Sequence, residues 1–175
     1  MTPPRVQLVT ADGRPAGVAD RGAAHQAPGL LHVAVSVVVH DGAGRALVQQ
    51  RSHHKRLFTL AWANSCCTHA EPGELAPEQV MARARRRLNE ELGIDADLAV
   101  AGRFIYRAVD PASGLVEHEL DTVLVGRAER EVAPDPREVA ATRWLPWEDL
   151  VGAGPETTWA PWAAEVHRLA RDRVG

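Results

Sequence analysis

The sequence predicts an α/β (α+β) fold: a mixed β-sheet flanked by helices, in a single compact domain. Three observations predict it. Short β-branched or alternating runs recur along the chain, one amphipathic helix interrupts them, and some neighbouring runs are joined by hairpin turns. The size agrees: 175 residues, 45% of them apolar, supply one full core that needs neither disulfides nor a structural metal.

Taken in order, residues 6–9 form a short strand before the turn Ala11-Asp12-Gly13. Residues 20–29 carry Gly22, Pro28 and Gly29 and read as a loop. Residues 31–40, with Val33, Val35, Val37, Val38 and Val39, predict a buried strand, and Asp41-Gly42-Ala43-Gly44 turns the chain into a second strand at 46–50. Residues 51–76 look irregular. Pro77 suits a first helical turn, and Val80, Ala84, Leu88 and Leu92 recur at helical spacing up to Gly93. Strands at 104–108 and 116–125 follow, then a strand at 142–145, a short helix from Pro146 and a C-terminal helix from Pro161. There is no repeat and no linker.

Composition excludes several classes. A net charge of −3, from 20 basic and 23 acidic residues, argues against a general nucleic-acid binder. The first twenty residues lack the apolar core of a signal peptide, and the apolar stretch at 33–39 is too short to span a bilayer. Cys66 and Cys67 are adjacent, so no disulfide framework exists, and a reducing, cytoplasmic setting fits.

Four segments could carry chemistry. Glu90 and Glu91 end the helix, where the macrodipole favours cations. They are either part of i,i+4 pairs with the preceding arginines or the partners of a divalent metal. In an extended segment Cys67 and His69 share a face and Cys66 points to the core, so Cys67 is either a small packing residue or a reactive thiol. In a strand Glu117, Glu119 and Asp121 share a face opposite His118; that face is either solvated or aimed at a metal. Together His25, His32, His69, Glu117 and Glu119 supply three imidazoles and two carboxylates, an N/O set suited to Mn²⁺, Mg²⁺ or Zn²⁺.

In this order the residues resemble the type I isopentenyl-diphosphate Δ-isomerase family of the Nudix superfamily, along almost the whole chain. The resemblance rests on Ala23-Ala24-His25 with Leu31-His32, Arg51 with Lys55, and Trp62-Ala63-Asn64-Ser65-Cys66-Cys67-Thr68-His69. It continues through Glu91-Leu92-Gly93-Ile94, Tyr106-Arg107-Ala108, Glu117-His118-Glu119 and Ala160-Pro161-Trp162. It implies a Nudix-type domain over 1–175, with a core at about residues 30–150 and N- and C-terminal extensions closing the active site.

The resemblance also implies roles. Cys67 and Glu119 would exchange protons on opposite sides of a carbon–carbon double bond, with Tyr106 beside Glu119. Trp162 would stabilise the tertiary carbocation through its π face. His25, His32, His69, Glu117 and Glu119 would hold a divalent ion (Mn²⁺, Mg²⁺ or Zn²⁺), and Glu91 a Mg²⁺ bridging to the diphosphate. Arg21, Arg51, Lys55 and Arg87 would bind that diphosphate. The partner implied is a small prenyl diphosphate, with no nucleic acid or membrane, and the protein a monomer or homodimer. Arg21 stands where members of the family carry Lys, and Arg87 where the hydrolase-type Nudix box has a metal-binding Glu. The alternatives are a Nudix hydrolase of a diphosphate-containing substrate and a relative that cyclises or couples another prenyl diphosphate.

Overall fold

The computed structural model describes residues 3–129, 131–150 and 158–175. Its elements are β1 (Arg5–Val9), β2 (Pro15–Asp20), α1 (Arg21–Ala24), β3 (His32–His40), β4 (Arg45–Arg51), β5 (Trp62–Ala63) and β6 (Cys66–His69). Then come α2 (Pro77–Leu92), β7 (Leu98–Val109), β8 (Val116–Arg127), β9 (Val139–Pro146), a 3₁₀ turn (Trp147–Asp149) and α3 (Ala163–Val174).

β3 is the hub of one connected sheet. It pairs antiparallel with β6, Ser36 opposite Cys67, and parallel with β8 from His32↔Glu119 to His40↔Arg127. β7 covers the outer edge of β8, while β4 leaves β3 after the hairpin and pairs with β5 and β9. The sheet is therefore mixed. A parallel pair needs a crossover connection, and α2 lies on the path from β3 to β8.

The strand period of two sorts side chains between two layers. Val35, Val37 and Val39 of β3 and Leu124 of β8 pack with Val80, Ala84, Leu88 and Leu92 of α2. Val38, Val123 and Val125 face the other way, toward Trp62, Trp162 and Val166 and Ala170 of α3. Each fully buried Leu or Val in these layers contributes about 1.5–3 kcal/mol. Helix α2 starts with Pro77, and the Gln79 side chain accepts from the Ala76 N–H at 3.1 Å. It stops at Gly93, which has φ 68° and whose N–H donates to Asn89 O at 2.8 Å. At Gly102 the constraint is space: a Cβ would lie 2.8 Å from Leu169 Cδ2, so the glycine lets α3 approach β7.

Three expectations change. Residues 20–29 are not all loop: β2 runs to Asp20, whose side chain accepts from the Ala23 N–H at 3.1 Å and caps the single turn α1. Residues 51–76 contain β5 and β6, too short to show a period but fixed by pairing with β4 and β3. The strand expected at 104–108 begins at Leu98, because a bulge between Val100 and Gly102 breaks its alternation. Among the described residues, no helix is long and apolar enough to cross a membrane.

Candidate active site

A cavity of about 460 Å³ opens beside the sheet. Cys67, His25, His69, Tyr106, Glu117, Glu119 and Trp162 line it, together with Arg21, Arg51, Lys55 and Arg87. His32, from the first residue of β3, lies beneath, beside Glu119 of β8.

One end is a cluster of three imidazoles and two carboxylates. One ligand atom from each of His25, His32, His69, Glu117 and Glu119 lies within 4.8 Å of every other. His25 Nδ1 donates to Arg21 O at 2.6 Å, and His32 Nδ1 donates to Leu30 O at 2.8 Å. Carbonyls only accept, so these contacts place the protons on Nδ1 and turn the Nε2 lone pairs inward. His25 Nε2 then meets Glu117 Oε2 at 2.9 Å, and His69 Nε2 meets Glu119 Oε1 at 2.7 Å. His32 Nε2 is buried with no hydrogen-bond partner, 3.5 Å from Glu119 Oε1. The inward Nε2 lone pairs of His25 and His32 beside the carboxylates suit a cation between them, so the donor set fits a divalent ion. Burial works against charge on His69, yet Glu117 and Glu119 raise its ring to about 9. Burial likewise pushes Glu119 up, but His32 and His69 hold it well below the usual carboxylate range.

The middle of the cavity holds a thiol, a phenol and a carboxylate: Cys67, Tyr106 and Glu119. Alternation along β6 places Cys66 in the α2 layer and Cys67 in the cavity, as its sequence position predicts. Burial, with the charge of Asp121 behind it, pushes the Cys67 thiol up to about 12, so it holds its proton at neutral pH. The thiol donates to Asn64 Oδ1 at 3.2 Å and lies 3.5 Å from Ser36 Oγ. Tyr106 Oη donates to Glu119 Oε2 at 2.5 Å. Burial first, then the neighbouring carboxylates, push that phenol well up, which keeps it a donor.

Trp162 forms an apolar wall. Backbone bonds from Trp62 N to Thr158 O and from Ala160 N to Trp62 O, both 2.8 Å, tie its segment to β5. Its indole N–H donates to Asn64 Oδ1 at 3.1 Å, and its ring packs against Phe58 and Tyr106 at 5.4 and 5.6 Å. The Arg51 guanidinium lies 5.4 Å from the ring centroid. Arg51 also donates through Nε and Nη2 to the carbonyls of Leu57 and Phe58. Phe58 and Leu60 both have positive φ, so this loop is held in a conformation that side chains disfavour.

The basic end brings Lys55 and Arg87 together. Glu91 is wholly buried, accepts from Arg87 Nη2 at 2.6 Å and Gln49 Nε2 at 3.1 Å, and lies 3.5 Å from Lys55 Nζ. It is not among the residues lining the cavity or in the His/Glu cluster. The charge partners it needs at a helix C-terminus are these two cations. Sequence reasoning missed Glu138, which pairs with both Lys55 and Arg87, and it assigned no part to Asn64, Ser36 or Asp121. Ser36 left a trace as the one polar residue among the valines of β3. Asp121 lies on the acidic face of β8; burial raises its carboxyl to about 8, and it accepts from Ser36 Oγ at 2.7 Å. Glu138 left no signal, because it comes from a separate segment just before β9.

The curled mixed sheet with its helices is a NUDIX domain: the chain matches that family over residues 30–170. A protein of known structure from Deinococcus radiodurans shares the fold, with TM-score 0.74, 20% identity, and 95% and 98% of the two chains covered. The NUDIX domain of Shewanella oneidensis NrtR, solved with ADP ribose, does so at TM-score 0.62 and 17% identity, covering 90% and 94%. The isopentenyl-diphosphate Delta-isomerase of Nocardia farcinica is 46% identical over 167 residues, which cover 94% of this chain and 93% of the relative. That of Streptomyces coelicolor is 42% identical over 170 residues, covering 97% and 84%. The chain belongs to the isopentenyl-diphosphate Delta-isomerase family.

Proposed function

We propose that this protein interconverts isopentenyl diphosphate and dimethylallyl diphosphate in the cytoplasm, by protonation and deprotonation through a tertiary carbocation. One observation carries the reading: Cys67, Glu119 and Trp162 face one cavity whose far end is cationic. Substrate and product differ only in double-bond position, so the site needs proton exchange and no redox group. The half-buried Cys67 thiol, directed by Asn64, exchanges a proton on one side of the five-carbon chain. Glu119, with the Tyr106 hydroxyl on Oε2, exchanges one on the other. Trp162 holds its π face to the positive charge that develops between them. Arg21, Arg51, Lys55 and Arg87 give the diphosphate its cationic end. His25, His32, His69, Glu117 and Glu119 would hold a divalent ion, with Mg²⁺ at the diphosphate. Bound there, metal ions supply fixed positive charge that orients the anionic tail and the carboxylates. The free ligand is a small molecule; nothing in the charge pattern suits nucleic acid.

The test is incubation with isopentenyl diphosphate and Mg²⁺ in deuterated water. Deuterium enters the C4 methyl end, dimethylallyl diphosphate forms and no phosphate appears. Phosphate release without the isomer would assign hydrolysis instead.

A further inference from the structure

Lys55 and Arg87 share two carboxylates, Glu91 and Glu138, which differ in kind, and Arg87 also pairs through Nη1 with the exposed Glu90 at 2.7 Å. Glu91 is locked: it is 0% exposed, and Arg87, Gln49 and Lys55 surround its oxygens. The Glu138 side chain is 30% exposed and lines the cavity. Its Oε2 pairs with Lys55 Nζ, and its Oε1 lies 3.3 Å from Arg87 Nη2. One carboxylate thus bridges two cations from the open side, with an oxygen on each. Two phosphate oxygens would make the same contacts.

We propose that Glu138 is an internal anion: it occupies part of the diphosphate site in the free protein and gives way when substrate binds. This rests on the reading of the basic end as the diphosphate site. With Glu138 in place, its carboxylate offsets part of the positive charge that Lys55 and Arg87 turn to the cavity. Removing the Glu138 side chain from the cations frees the contacts it made with Lys55 and Arg87 and takes one negative charge from the cavity side, while Glu91 stays buried behind them.

The backbone around Glu138 is held by hydrogen bonds, while its side chain reaches the cavity and is 30% exposed. Its carbonyl accepts from Ser52 N–H at 3.0 Å, its N–H donates to Asp135 O at 2.9 Å, and Ser52 Oγ donates to Arg137 O at 2.7 Å. Exchange therefore needs only side-chain rotation between staggered rotamers at the cavity wall. The device also selects. A monophosphate can make the same two contacts but gains little beyond them, whereas a diphosphate replaces both contacts and adds charge for Arg21 and Arg51. Holding the cations against smaller anions is discrimination by a built-in competitor.

Calorimetric titration of the full chain with inorganic pyrophosphate and with inorganic phosphate, both without Mg²⁺, tests this. Glu138→Gln should bind pyrophosphate about tenfold tighter than the parent, with phosphate gaining at least as much, because a like charge leaves the site. Glu138→Ala should move in the same direction, which separates loss of charge from any new amide contact. Unchanged or weaker pyrophosphate binding in both variants overturns the proposal. Lys55→Met should weaken pyrophosphate binding in the parent and in Glu138→Gln. If it does so in neither, the reading of this end as the diphosphate site fails, and the proposal with it. If Lys55→Met weakens binding but the Glu138 variants gain nothing, the site stands and only the internal anion is lost.

Discussion

Asn64 is wholly buried, and its side chain makes four hydrogen bonds. Nδ2 donates to Val37 O at 3.1 Å and Cys66 O at 2.8 Å, while Oδ1 accepts from the Cys67 thiol and the Trp162 indole. Every donor and acceptor position of the amide is in use. Asn64→Ala removes all four bonds and leaves their partners in a space closed to water. At about 1 kcal/mol per neutral bond, with part of each partner's desolvation added, the loss is about 3–5 kcal/mol. For a chain of this length that corresponds to a fall in Tm of about 10 °C. Urea unfolding followed by circular dichroism measures it directly. Trp162→Phe deletes the indole N–H together with part of the buried ring system, so it should cost about 2–3 kcal/mol from the lost bond and the space left, and the double variant should cost less than the two losses together. A loss below about 1 kcal/mol for Asn64→Ala would refute the reasoning, because the bonds would then contribute no net stability.

Cys67→Ala and Glu119→Gln should each abolish isomerisation, while Cys66→Ala, whose sulfur packs against α2, should retain it and lose about 1 kcal/mol of stability. Equal loss of turnover in all three would overturn that division between the thiols. His32→Ala should weaken divalent-metal binding at least tenfold, read as metal retained after dialysis, since its buried Nε2 has no other partner. His167, buried on α3, has its ring lowered from 6.5 to about 4 by burial, so an unfolded chain takes up the proton first as pH falls. Stability from this group is full above pH 6.5 and drains away between pH 6.5 and about 4, by about 3 kcal/mol at most. His167→Phe should flatten that acid limb in pH-dependent melting; an unchanged limb would show that other groups set it.

Where local pattern and burial coincide, the sequence was readable. Helix α2 repeats Val80, Ala84, Leu88 and Leu92 because one face packs on β3, and Pro77 and Gly93 mark its ends. The sorting of Cys66 from Cys67, and of Glu117, Glu119 and Asp121 from His118, follows from the strand period alone; His118 Nδ1 turns to Gly29 O at 3.0 Å on the opposite face. Strand β2 escaped notice because Pro15–Asp20 has little β-propensity and is held by pairing with β1. Strands β5 and β6 escaped because their order comes from partners distant in sequence. The site shows the same division. The metal-type donors were legible as a set of residue types, but no local signal could show that Glu91 is sealed in by Gln49, Arg87 and Lys55, or that Glu138 faces the cavity in its place.

The segment that ties Trp162 to β5 also sets when the site can exist during synthesis. The five residues of the His/Glu cluster have all been translated once Glu119 is added. The wall that would shelter a carbocation waits for residues 158–162, which pair with Trp62. A nascent chain stopped between these points carries the cluster and the Cys67 thiol but lacks the indole. A ribosome-stalled or prematurely terminated product therefore has the five cluster residues without the indole wall, which arrives only with the last part of the domain.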